Sequence, residues 1–562
     1  RLTFKLLKSA FSLTMLIWWL PAALAVLLLQ SAAVTETQAE CPAEGCSEAA
    51  LFVSEDEAEG TGLHLLQRRQ WQQIQAEAAK EQLPPPFEDD ETSTFDPTSF
   101  LFDGVDSHPP PLTPIVVPAH KKRSLNLHFN AVMASCNPRI GDPQKCTKVV
   151  TKSARSLFTQ LHVKARVEEK IPPLSHEETT AFRHRFSELV VGGSKSVMMK
   201  STKTEQYGGW KQLVIKGYDN MRPVVSKSMV EFINAGVGEY TAHWDDSFIK
   251  VSVAKGKSKL GLDITQEEED AMRNETLKAT ETDMLEIDEE EQQKDVYSST
   301  FDVREHWPNC KEVTGHVRYQ TCNNCWSHAT ALVTESRLCI KTNGAFNGPN
   351  AWLSQSFIAA CRMDGANYCR GGSGLLGFKT VTRWGVPTGG PDFRGNIQAG
   401  VQTCYPQILP NEANVHCPGA CSPFSHYPRS LQQDTFYVQY NPRGLHPAGR
   451  QTPYLAKKAM VEDGPILLGM RIYQDFYAYK NGIYAPVKKS WNRYIGGHAV
   501  TGMGFGPGYV LAINSWSTAW GMEGAFKVAP QAIDFGYFIP GHMTQGHGLG
   551  AAAHLAMPLP RE

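Results

Sequence analysis

The sequence predicts an α+β protein, on three observations. Helical patterning covers residues 176–190, opened by the Ser175 and Glu178 pair of a capping box, and recurs at 329–338. Strand-like runs occupy 195–202, 210–216 and 509–513. Nine of the 13 cysteines fall between residues 299 and 542, in a block that ends in strands rich in glycine and aromatic residues.

A chain of 562 residues suggests three or four units at roughly 150 residues each. Lys and Arg total 55 against 57 Asp and Glu, a net charge of −2. That balance excludes a dedicated nucleic-acid binder, which carries a basic surplus. The 35 prolines and 46 glycines are unevenly spread, so part of the length reads as linker.

Along the chain, residues 1–35 read as a signal peptide or signal anchor. Arg1, Lys5 and Lys8 precede an uncharged apolar stretch that closes on Ser31-Ala32-Ala33. Residues 9–34 are also near bilayer-spanning length, so membrane anchoring through them stays open. Residues 36–123 read as a disordered acidic and Pro-rich region, ending in the basic run Lys121-Lys122-Arg123. Residues 124–225 read as an unassigned α+β region. Cys41 with Cys46, and Cys136 with Cys146, are candidate disulfide partners.

Ser228 and Glu231 form a second capping box ahead of a short helix. Residues 266–296 read as a solvated acidic linker carrying a processing site, with Asn274-Glu275-Thr276 as a glycosylation sequon. Residues 297–542 are the second globular block. Residues 543–562 read as a frayed tail.

The chemistry concentrates in that block. Cys325, in Gln320-Thr321-Cys322-Asn323-Asn324-Cys325-Trp326, sits where the helical pattern begins. Amides at a helix N-terminus favour a thiolate, the reactive form of cysteine. Far downstream stand Gly496-Gly497-His498 and Asn514-Ser515-Trp516. An imidazole at 498 could exchange a proton with Cys325. An amide at 514 could orient the ring, and Trp516 could shield that bond. A redox pair of Cys322 and Cys325 gives Asn514 no purpose. A zinc site would leave seven other cysteines and no second Cys-x-x-Cys, so neither metal nor cofactor is expected.

These motifs resemble those of the papain-like cysteine proteases, and are most similar to cathepsin B. Phe301-Asp302-Val303-Arg304 resembles the mature N-terminus of that family, and Trp520-Gly521 with Gly524-Ala525-Phe526 its closing segment. The resemblance covers 297–542 and implies a two-lobe fold: a helical left lobe, a β-barrel-like right lobe and a cleft between. Residues 226–265 resemble the cathepsin B propeptide, which crosses the cleft backwards as an intramolecular inhibitor.

The resemblance also implies the disulfides Cys310–Cys339, Cys322–Cys369, Cys361–Cys417 and Cys404–Cys421. Nine cysteines less one nucleophile leave an even set of eight. It implies substrate contacts at Gly371, Gly372, Gly497, Trp516 and Gly536, the last as an uncharged wall of the second pocket, with Phe535 taking that place if the match of Ile533-Asp534-Phe535-Gly536 slips by one.

Two departures stand out. The family's oxyanion glutamine lies six residues before the nucleophile, whereas Gln320 lies five before Cys325. The stretch 404–421 holds only His416 where cathepsin B has a histidine pair in its occluding loop. The expected activity is therefore that of an endopeptidase acting on peptides or proteins. It would be made as a zymogen in the secretory pathway, for a lysosome, vacuole or extracellular space. The alternative is a catalytically impaired, protease-like binding protein. Acid is expected to release the propeptide by protonating carboxylates such as Glu231, Asp245 and Asp246 that pair with basic groups.

Overall fold

The computed structural model describes residues 119–286 and 299–544, apart from 137–141, 367, 391–392, 395–402, 407, 410–415, 423–429, 439–441, 449–451 and 542. The described residues fall in one compact unit, Thr113–Glu562. The segment read as signal or anchor, the Cys41 and Cys46 pair, and nearly all of the region 36–123 lie outside the described residues. No described helix is long and apolar enough to cross a membrane.

Four helices come first: α1 (Ala119–Ser135), α2 (Pro143–Glu168), α3 (His176–Met198) and α4 (Lys203–Met221). Asp142 caps α2, with Pro143 in its first turn, and a Cys136–Cys146 disulfide ties α1 to α2. Ser175 and Glu178 close a reciprocal capping box on α3, and Thr202 and Glu205 do the same on α4. Residues 195–202 and 210–216, expected as strands, are thus mostly helix, and region 124–225 is helical rather than α+β. Burial shows why: Val190, Ser194, Val197 and Met198, then Trp210, Val214, Gly217 and Tyr218, recur at helical spacing. The β-branched and aromatic content of those runs suggested strands, but packing overrode propensity. Phe158, Phe182, Phe186 and Tyr218 form the centre of this helical layer.

No break separates 225 from 226, because Val224, Val225 and Met229 continue the same core. Ser226, not Ser228, caps the short helix Lys227–Phe232. The Ser228 hydroxyl instead bonds Pro173 O, and Glu231 is exposed. Strand β1 (Tyr240–Ala242) follows. Helix α5 (Gln266–Glu286) then occupies most of the stretch expected to be linker. Met272 and Thr276, one turn apart, are buried against the block 299–542, while Glu267 and Asp270 are exposed. Residues 287–298 lie outside the described residues.

The second globular block brings β2 (Phe301–Asp302), α6 (Cys325–Lys341), α7 (Gly374–Trp384), β3 (Arg443–Leu445), β4 (Ile466–Tyr473), β5 (Tyr479–Tyr484), β6 (Tyr494–Gly506), β7 (Tyr509–Ile513), β8 (Ala525–Val528) and β9 (Gly536–Ile539). They make a nine-stranded sheet in the order β1-β5-β8-β7-β6-β4-β9-β3, with β2 paired to β6. All pairs are antiparallel except β5 with β8. The expected barrel-like lobe is an open sheet ending at β1 and β3, so the segment ahead of the second block supplies one edge strand. Helix α6 packs on β6 and brings Cys325 to the sheet. Disulfides join Cys310 to Cys339, Cys322 to Cys369, Cys361 to Cys417 and Cys404 to Cys421. Met543, read as frayed tail, is buried in the short strand Met543–Thr544; residues 545–562 lie outside the described residues.

Candidate active site

Cys325 is the first residue of α6 and is fully buried; among the described residues it is the free cysteine. Its Sγ accepts two backbone N–H groups, Gly261 at 3.3 Å and Ala499 at 3.4 Å. His498 lies on β6, whose pairing with β4 sets it opposite Met470. His498 Nε2 stands 2.8 Å from Asn514 Oδ1. Ser515 N–H donates to the same oxygen at 2.8 Å, which fixes the amide orientation. His498 therefore carries its proton on Nε2 and leaves Nδ1 as an acceptor. The Trp516 ring lies 5.0 Å from the imidazole and covers it; Tyr477 stacks on Trp516 at 4.6 Å.

Gln320 reaches the site despite its shifted position. Its backbone N–H donates to Ser515 O at 2.8 Å, and Tyr319 bridges Trp516, so the loop pairs with the chain after Asn514. The Gln320 side-chain oxygen accepts from Ser515 Oγ at 2.7 Å. Its Nε2 donates to Lys259 O at 3.0 Å and to Cys322 O at 2.8 Å.

Residues 259–263 cross the site. Leu262 N–H donates to Gly497 O at 3.1 Å, Gly372 N–H to Gly261 O at 2.8 Å, and Asp263 N–H to Gly372 O at 3.0 Å. The bridge of Leu262 with Gly372 is parallel. Backbone meets backbone closely: a Cβ on Gly497 would lie 2.4 Å from Leu262 O. Arg362 donates to Arg370 O and Gly371 O, and lies 5.1 Å from the Trp326 ring, bracing this glycine edge.

Gly536 does not line the pocket that Leu262 enters. A Cβ there, at φ +121°, would meet Leu445 O and Met272. Phe535 takes that place: a Cβ on Gly469 or on Gly497 would meet both Phe535 and Leu262. A one-residue offset at the strand start puts the aromatic ring, not the glycine, on the cleft. His416 is exposed.

Burial under this segment sets the electrostatics. It pushes the Cys325 thiol up to about 11, with the backbone N–H bonds acting in the other direction. Burial also holds His498 down to about 4; the Asn514 bond opposes this and the Lys259 charge adds to it. Both shifts favour a neutral thiol and a neutral imidazole. Among the described residues no cluster of His, Cys, Asp or Glu could hold a metal.

The acid-sensitive carboxylates also differ from expectation. Asp245 accepts Ser247 N–H at 2.6 Å, within its own turn. Among the described residues, Arg493 of the second block pairs with Glu169 at 2.7 Å and with Asp219 at 3.2 Å, both of the helical region. A surface charge has its partner set by tertiary placement, which local sequence does not record. Lys259, Gly261, Leu262 and Arg362 carry no motif; the propeptide resemblance over 226–265 is the signal available for the first three, and a one-residue slip at Gly536 is the signal for Phe535.

A thiol at a helix start, an imidazole on the facing strand and an amide behind it define a cysteine peptidase site. The sequence matches the papain family cysteine proteases over residues 297–535. It is 31% identical over 240 residues to a gut-specific cysteine proteinase of Caenorhabditis elegans, covering 41% of this chain and 68% of that one. Cathepsin B-like cysteine proteinase 4 of Caenorhabditis elegans is 26% identical over 322 residues, 54% of this chain and 88% of that one. The solved structure of proCathepsin B S9 from Trypanosoma congolense aligns with a TM-score of 0.45 at 23% identity, covering 57% of this chain and all of that one. The chain belongs to the papain family of cysteine proteases and is cathepsin B-like.

Proposed function

We propose that the chain is a cysteine endopeptidase held as a zymogen by residues 226–286, with Cys325 as nucleophile and His498 as acid and base. One observation carries the reading. Residues 259–262 set a peptide carbonyl on Gln320 Nε2, a peptide N–H on Cys325 Sγ and an apolar side chain beside Phe535. A peptide substrate needs those same three places.

With the segment gone, His498 Nδ1 takes the thiol proton and Sγ attacks the peptide carbonyl carbon. The oxyanion formed receives the Cys325 N–H and Gln320 Nε2–H. The C–N bond breaks as the imidazolium protonates the leaving amine. Water, deprotonated by His498, then attacks the thioester; the acid departs and the thiol is restored. Asn514 holds the imidazole throughout. The reach of Gln320 supports an equipped oxyanion site over an impaired binding protein. The short disulfide-closed stretch 404–421, with its exposed His416, supports an open cleft and endopeptidase action. The five disulfides among the described residues suit an oxidising compartment, in keeping with a secreted or lysosomal enzyme.

An irreversible peptide epoxide tests the reading. It labels processed enzyme at Cys325 alone, and labelling disappears in His498→Ala. Labelling elsewhere, or labelling that survives that substitution, overturns it.

A further inference from the structure

Behind the site lies a cavity of about 10 Å³, the room of about one water. Its walls include Arg318, His328, Leu332, Asn514 and Ser515. His328 sits one turn after Cys325 on α6 and is 1% exposed. Among the described residues, neither ring nitrogen of His328 has a hydrogen-bond partner, and the same holds for Asn514 Nδ2 and Arg318 Nε. A histidine can sit in a core simply as a packed ring. Yet its neighbours Trp326, Ala329 and Leu332 are buried and largely apolar, where a phenyl ring would pack without stranding two nitrogens. Three polar groups without partners around one small cavity need a common explanation.

We propose that His328 is a positioning residue that holds Asn514 through one water bound in this cavity. The water accepts from Asn514 Nδ2–H and Arg318 Nε–H and donates to the bare nitrogen of His328. Three such bonds are the usual complement of a buried water. Burial, and then the charges of Arg318 and His498, hold His328 well below its ordinary value, so a bare nitrogen is present. Asn514 is thereby held from both ends: Oδ1 by Ser515 N–H and His498 Nε2–H, Nδ2 by the water.

The proposal rests on the proposed roles of His498 and Asn514. An amide free to rock would weaken the Nε2–H···Oδ1 bond, which is strongest when the imidazole is charged. The imidazolium would then lose its proton at lower pH.

Processed wild-type, His328→Phe and His328→Gln enzymes are compared on a peptide substrate across pH. His328→Phe lowers kcat/KM about tenfold, within the range for directly coupled neighbours. KM is unchanged and the alkaline limb moves to lower pH. His328→Gln, which keeps a polar partner for the water, stays within about threefold. In an Asn514→Ala background, His328→Phe adds nothing. An unmoved alkaline limb, equal losses in the Phe and Gln variants, or a full further loss in the Asn514→Ala background overturns the proposal. A crystal structure of the wild-type enzyme gives an arm that needs no variant: a dry cavity also overturns it. A processed wild-type enzyme that neither cleaves peptide nor takes the epoxide at Cys325 would instead overturn the functional reading.

Discussion

Gly261 N–H donates to Cys325 Sγ at 3.3 Å, and a Cβ on Gly261 would lie 2.0 Å from Asn323 O. The contact that covers the thiol thus requires the absence of a side chain. Gly261→Val should push the crossing segment off the cleft. Uncut precursor of this variant is expected to hydrolyse peptide roughly tenfold faster than wild type, a shift of about 1.4 kcal/mol in the closed state. Wild-type latency in the purified variant would show that the segment is held by other contacts.

Chemistry after processing divides by role. Cys325→Ser and His498→Ala should each abolish peptide hydrolysis, while Asn514→Ala only weakens it, because orientation is partly replaceable. Gln320→Ala should slow kcat about 100-fold, the usual cost of one oxyanion donor. Steady-state kinetics on processed enzyme decide. A Cys325→Ser enzyme that still turns over removes the mechanism.

The neutral dyad predicts how the precursor reacts. With Cys325 pushed up to about 11 by burial, its thiolate is scarce at neutral pH. Iodoacetamide should label Cys325 of uncut precursor only as pH approaches that value, and label processed enzyme readily near pH 7. Mass mapping of the alkylated peptide checks it. Equal rates in both forms at neutral pH would mean that the segment does not control the thiol.

Much of the site was legible because its chemistry is written in short strings: Cys325-Trp326, Gly497-His498 and Asn514-Ser515-Trp516 each place their groups within one element. What escaped depends on tertiary placement. The acidic run on α5 hid Met272 and Thr276, two inward positions one turn apart among many solvated ones. Phe535 and Gly536 differ by one position at the start of a strand, where a single-residue offset exchanges the cleft-facing side. Gln320 looked displaced by counting, yet pairing of its loop with Ser515 and Trp516 restores its reach.

The second pocket should prefer apolar side chains. Leu262 fills it in the precursor between Phe535 and the glycines at 469 and 497. Arg471 stands over the Phe535 ring at 5.3 Å, so a cation entering would meet a like charge. A peptide library should select Leu or an aromatic residue over Arg by about tenfold or more, the range a hydrophobic pocket gives. Selection of Arg would sink this assignment.

Acid should loosen the precursor through its helical region. His162, on α2, stacks on Phe158 at 5.5 Å, and its Nδ1 lies 3.1 Å from the Tyr218 hydroxyl. Burial first, then the charges of Arg166 and Arg222, hold it below 6.5. The folded region therefore resists a proton that the unfolded chain accepts. Below pH of about 6.5 the unfolded chain binds more protons, and stability falls as pH drops. The same region carries Glu169 and Asp219, which grip Arg493 of the peptidase block. Asp475 works in the opposite sense. Burial pushes its carboxyl up to about 6, and Tyr240 donates to it across the interface. Its contribution is present at low pH and is lost as pH rises through that value. The precursor is expected to melt at lower temperature at pH 5 than at pH 7, with new N-termini between residues 287 and 298 as activity rises. His162→Phe should flatten the pH dependence of melting and slow acid processing. A variant with the wild-type slope would move the switch elsewhere. A precursor that melts higher at pH 5 would show that Asp475 dominates.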